Sequence, residues 1–105
     1  MIKIFATGNL INDAKVFFYG EGKSGVSFCI ASNDRGSETA DFLNCTMFNR
    51  DERFAELLKK GNQVIVHGRY KKNDEGYVSC IVDELEFGIS RNSRNNNDSQ
   101  INNYY

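Results

Sequence analysis

The order of periodicities along this 105-residue chain leaves few folds open to it: runs of strand-like alternation come one after another, and a single helical pattern interrupts them late. Residues 2–9 (IKIFATGN) alternate as a first strand, Gly8-Asn9 marks a bend, and residues 14–19 (AKVFFY) resume extended structure. Residues 20–25 (GEGKSG) read as a flexible turn, residues 26–33 (VSFCIASN) as the second main strand, residues 34–40 as a polar loop and residues 41–49 (DFLNCTMFN) as the third. A helix of about three turns follows, with acid in its first turn at Asp51 and Glu52, and Phe54, Leu57 and Leu58 on one face. Lys59-Lys60 would form its basic last turn, and Gly61 its stop. Residues 63–72 (QVIVHGRYKK) and 77–87 (YVSCIVDELEF) complete the pattern as two strands joined by a hairpin over 73–76. A parallel α/β protein would alternate helices throughout, and a sandwich would need about seven strands. Five strands with one short helix between the third and fourth predict an all-β, five-stranded Greek-key barrel of the OB type.

Length and composition agree with a single barrel. A chain of 105 residues fits one domain, and its 40% hydrophobic and 26% charged residues are ordinary for a globular fold. The composition changes after residue 88, where the last seventeen residues hold six asparagines, so residues 1–88 are expected to fold and 89–105 to form a flexible tail. No apolar run approaches the roughly 20 residues of a membrane span, and the N-terminus lacks the pattern of a secretion signal. The expected location is the cytoplasm, without a membrane partner.

Charge gives no help with function at this level. Thirteen basic against fourteen acidic residues leave a net charge of −1, so a nucleic-acid partner must be argued from local pattern. Cys29, Cys45, Cys80 and His67 nominally supply four zinc ligands, but each cysteine lies in an apolar strand run without paired spacing. They are expected to be reduced, buried thiols, with no metal and no cofactor. No carboxylate pair, phosphate loop or catalytic triad marks an enzyme.

The third strand carries the sharpest signal. Alternation puts Leu43, Cys45 and Met47 on one face and Phe42, Asn44, Thr46 and Phe48 on the other. The first set is apolar and belongs in the core, so the opposite face points outward. Two outward phenylalanines about 20 Å apart suit separate stacking platforms under one nucleic-acid strand, and equally suit burial against a loop or a neighbouring subunit. Arg50 follows on the same parity, within reach of a phosphate. Arg69, Lys71 and Lys72 cluster where the fourth strand enters its hairpin, with Tyr70 among them, and Arg35 precedes the aromatic strand. Basic residues interleaved with aromatics are what single-strand binding demands, although a solvated charged hairpin accounts for Lys71 and Lys72 alone.

Over residues 1–88 these features resemble the bacterial-type single-stranded DNA-binding proteins. The resemblance rests on Lys3 and Gly8-Asn9-Leu10 with Asp13, on Phe28 with Ala31-Ser32-Asn33, and on the run from Phe42 to Phe48. It continues through Ala55-Glu56, Leu58-Lys59-Lys60-Gly61, Val64, Val66, Gly68-Arg69 and Val82-Asp83. It implies base stacking by Phe42 and Phe48, backbone contacts by Arg50, Lys60 and Lys3, and assembly into homo-oligomers, usually tetramers, with a dimer as the smaller alternative. The implied function is sequence-independent protection of single-stranded DNA in replication, recombination or repair; the alternative is an OB-fold interaction module of the primosome-adaptor kind. The chain departs from the family's usual pattern in having no tryptophan, a short loop at 34–40 and a short hairpin at 73–76. Its tail ends Ile101-Asn102-Asn103-Tyr104-Tyr105 instead of in an acidic tip, so recruitment of replication or recombination proteins by that route is not expected. That combination suggests a phage or mobile-element variant, or a specialised paralogue.

Overall fold

The structure, a computed structural model, describes residues 1–33, 36 and 38–88. Six strands and one helix follow in the order β1 (Lys3–Leu10), β2 (Lys15–Gly20), β3 (Lys23–Ser32), β4 (Asp41–Phe48), α1 (Glu52–Glu56), β5 (Gln63–Lys72) and β6 (Val78–Phe87). The expected first strand is divided at residues 11–14, which accounts for six strands where five were predicted. Its two halves do different work: β2 pairs antiparallel with the first half of β3, while Asn9 and Leu10 of β1 pair with Ala31 and Ile30 near its end. Along its length β1 also pairs with β5, β5 with β6, β6 with β4 in parallel, and β4 with β3. The sheet therefore closes on itself, as an OB barrel does.

Alternation explains what fills the barrel. Val26, Phe28 and Ile30 of β3, Cys45 and Met47 of β4, Val64 and Val66 of β5, and Cys80 and Val82 of β6 are all buried. Cys45 and Cys80 are register partners in the parallel pair, and burial pushes both thiols above their ordinary range, so neither supplies a thiolate at neutral pH. Among the described residues no cluster of three or more His, Cys, Asp or Glu could hold a metal ion.

Two boundaries differ from expectation for physical reasons. Residues 20–25 form a tighter turn than predicted, because Gly20 already pairs with Lys23 and the strand resumes there. The helix is five residues long instead of three turns. Asp51 caps it, accepting the Phe54 N–H at 3.2 Å, but beyond Leu57 the chain is captured by the β1–β2 bend. There the Ala14 N–H donates to the Leu58 carbonyl at 2.9 Å, and the Lys60 N–H donates to Asp13 Oδ1 at 2.8 Å. Leu58 is thereby driven into the core while Leu57 stays 54% exposed, and Lys59 and Lys60 lie outside the helix.

Candidate nucleic-acid interface

The two faces read from β4 are separated as the alternation predicts. Cys45 and Met47 are buried, Leu43 is half-buried, and Phe42 and Phe48 stand 65% and 41% exposed. The registers extend the outward set across the barrel. Lys15, Ser27, Thr46, Ile81, Arg69 and Lys3 form one continuous cross-strand row from β2 through β3, β4, β6 and β5 to β1. Cys29, Asn44, Ser79 and Lys71 form the next row. Apart from Ile81, small or polar side chains thus floor the space between the two phenylalanines, and cations stand at the flanks.

Phe48 has aromatic company. Phe17 and Phe48 are both register partners of Gly25, and a Cβ on Gly25 would stand 2.7 Å from Phe17 Cζ. The missing side chain lets the Phe17 ring lie across β3 and meet Phe48 edge-on, with centroids 5.9 Å apart. Tyr19 meets Phe48 in the same way at 5.1 Å, and its hydroxyl donates to Asn49 Oδ1 at 2.8 Å. At the far end Tyr77, which immediately precedes β6, is 67% exposed. Tyr77 is held there by Asn73, whose Oδ1 accepts the Glu75 and Tyr77 N–H groups at 2.9 Å each.

Three members of this face go beyond the residues named from sequence: Lys15, Phe17 and Tyr19. The signal for all three is present in the sequence, since the alternation within β2 sets Lys15, Phe17 and Tyr19 apart from Val16 and Phe18.

The basic residues divide into groups. Lys3 and Arg69 are cross-strand partners, and both reach Asp83, at 3.7 and 3.3 Å. Asp83 is the extra residue of a bulge in β6, where His67 pairs with Glu84 and Gly68 with Val82. Lys71 and Lys72 are exposed on the hairpin arm, and neither is in a salt bridge among the described residues. Tyr70 pairs with buried Cys80 and is half-buried on the parity opposite to Arg69 and Lys71, so it does not share their face. Lys60 sits at the β1–β2 bend through its hydrogen bond to Asp13. Arg50 departs from the parity predicted for it, because Asn49 adopts a left-handed backbone with φ 61° and ends the alternation. The Arg50 guanidinium lies 5.1 Å over the Phe54 ring instead. Arg35 lies outside the described residues, as does the segment 89–105.

Fold and face together define an OB-barrel protein with an aromatic, cation-flanked surface on the outside of its strands. The chain belongs to the single-strand binding protein family, whose model matches residues 1–76. It is 33% identical to a single-stranded DNA-binding protein of Fusobacterium nucleatum, over 86% of this chain and 68% of that one. It is 32% identical to that of Oceanobacillus iheyensis, over 92% of this chain and 69% of the relative. Among solved structures, the wild-type single-stranded DNA binding protein from Thermus aquaticus superposes with a TM-score of 0.71 at 25% identity, over 85% of this chain and 41% of that one. This chain therefore spans about two-fifths of the Thermus protein's length.

Proposed function

We propose that this protein binds single-stranded DNA without regard to sequence and protects it during replication, recombination or repair in the cytoplasm. It acts by holding the strand, without catalysis. The observation that carries the reading is the outward face of β4, where exposed Phe42 at one end and Phe48 with Phe17 and Tyr19 at the other bracket a floor flanked by Lys15, Lys71, Arg69 and Lys3. Every base offers a π-face, so stacking tolerates any sequence, while the cations follow the phosphates. A duplex hides its base faces and gains only the electrostatic part. Family membership and the relatives named above support the same ligand.

The protein further assembles with copies of itself, as a tetramer or, at the least, a dimer. Away from β5, residues Lys3 to Gly8 of β1 have no strand partner among the described residues. Beside that free edge Phe5 is 68% exposed with its ring against His67 at 4.6 Å, a surface suited to strand addition by a second copy.

A titration of labelled oligo-dT, oligo-U and duplex DNA at several salt concentrations, with native mass measured alongside, tests both statements. Single-stranded DNA is expected to bind well above duplex, with log affinity falling by roughly 0.7 per log unit of salt for each phosphate neutralised, or about 2.8 for four contacts. The native mass is expected to be a multiple of 11.9 kDa. A flat salt response or equal binding of duplex would overturn the binding reading, and a monomeric mass the assembly.

A further inference from the structure

Just past the aromatic platform three cations line one groove with a single carboxylate, while Glu52 lines the adjoining cavity with Arg53 and Glu21 lies two residues from Lys23. β4 ends at Phe48, Asn49 turns the chain, and a groove opens that is lined by Lys23, Asn49, Arg50, Arg53, Phe54 and Leu57. Its geometry is fixed by the backbone: the Arg50 N–H donates to the Ser24 carbonyl at 3.0 Å, and Ser24 Oγ donates to the Arg50 carbonyl at 2.7 Å. Arg50 Nη1 donates back to the Asn49 carbonyl at 3.0 Å, which holds the guanidinium over Phe54. Lys23 and Arg53 are exposed, and none of the three cations forms a salt bridge among the described residues. The carboxylate lining the groove, Asp51, accepts the Phe54 N–H as the helix cap. In a chain of net charge −1 the lining of this groove is positive, and the groove is continuous with the platform, because Tyr19 touches Phe48 and hydrogen-bonds Asn49 at its mouth.

We propose that this groove carries the single strand onward from Phe48, with Lys23 and Arg53 joining Arg50 as phosphate contacts and the Phe54–Leu57 side meeting sugar or base. The proposal rests on the reading of the outward face as a single-strand platform. It assigns Lys23 and Arg53 a role that no stacking argument gives them.

The test is a titration of the full chain and of the double variant Lys23→Ala, Arg53→Ala with oligo-dT of roughly 8 and roughly 16 nucleotides, lengths that bracket what one barrel holds. Two lost contacts are expected to weaken binding of the longer strand by roughly 25-fold at 0.1 M salt and to make its salt slope shallower by about 1.4. The shorter strand, which the platform accommodates alone, is expected to change by less than about twofold. The pair Lys23→Gln, Arg53→Gln should behave alike and keeps the test open if the alanine variant fails to fold. Unchanged affinity and slope with the longer strand, or equal losses at both lengths, would overturn the assigned route. Failure of the unaltered protein to bind either strand would overturn the platform reading itself.

Discussion

Replacing Phe42 and Phe48 together by alanine is expected to remove most single-strand affinity while leaving the barrel folded. Each base stacked on an aromatic ring contributes roughly 1–3 kcal/mol, so the pair is worth about 2–6 kcal/mol, or between roughly 30-fold and 10⁴-fold in affinity. The two sites are not equivalent. Phe42 is largely exposed and no ring packs against it among the described residues, so Phe42→Ala should cost affinity with almost no change in stability. Phe48 also meets the edges of Phe17 and Tyr19, contacts worth about 0.5–1.5 kcal/mol each beyond the area they cover, so Phe48→Ala should lower the unfolding midpoint as well. Phe48→Leu separates the effects, because leucine restores much of the packing but offers no flat π-face. Anisotropy with oligo-dT and urea denaturation on the same preparations give the two readouts. Retention of full affinity by the double variant would remove the phenylalanines from the site; loss in Phe48→Ala that Phe48→Leu recovers would make that ring a packing residue only.

How far the sequence reveals this surface depends on where local chemistry dictates geometry. β4 is legible because its two parities differ in kind: Leu43, Cys45 and Met47 have no polar atom to satisfy beyond a thiol, while Asn44 and Thr46 sit between the phenylalanines. The same logic fails one residue past the strand, since Asn49 is an ordinary strand-end residue in sequence and a left-handed turn in the structure. Arg50 consequently faces Phe54 and the groove, not the row it was expected to extend. The helix falls short of its sequence pattern for a related reason. Phe54, Leu57 and Leu58 keep helical spacing, yet the Asp13 carboxylate and the Ala14 N–H come from a segment some 45 residues away and end the helix early. Contacts across that separation leave no local trace. The split of the first strand is likewise set by pairing between distant segments.

Gly68→Ala is expected to be among the most damaging single changes in the core, costing about 3 kcal/mol, the upper end of ordinary overpacking. A Cβ at Gly68 would stand 2.3 Å from the Ile81 carbonyl oxygen and 2.6 Å from Cys80 Sγ. The first of these is backbone of the paired strand, so no side-chain rotation relieves it. β6 must move away from β5 at the point where the Asp83 bulge already breaks the ladder, and that same displacement loosens the Asp83 carboxylate from Arg69 and Lys3. For a domain near 100 residues the loss amounts to roughly 12–24 °C in Tm. Gly20→Ala is the matched control: its new Cβ would meet only the flexible Lys23 side chain at 3.4 Å, and it should shift stability by less than about 0.5 kcal/mol. Cys80→Ala added to Gly68→Ala relieves the sulfur clash but not the carbonyl one, so it should restore little. Urea titrations of the four proteins decide the matter. A Gly68→Ala midpoint equal to that of the parent, or full rescue by Cys80→Ala, would show that β6 can yield locally and that the close approach at Gly68 is not what holds the hairpin arm and its cations against the barrel.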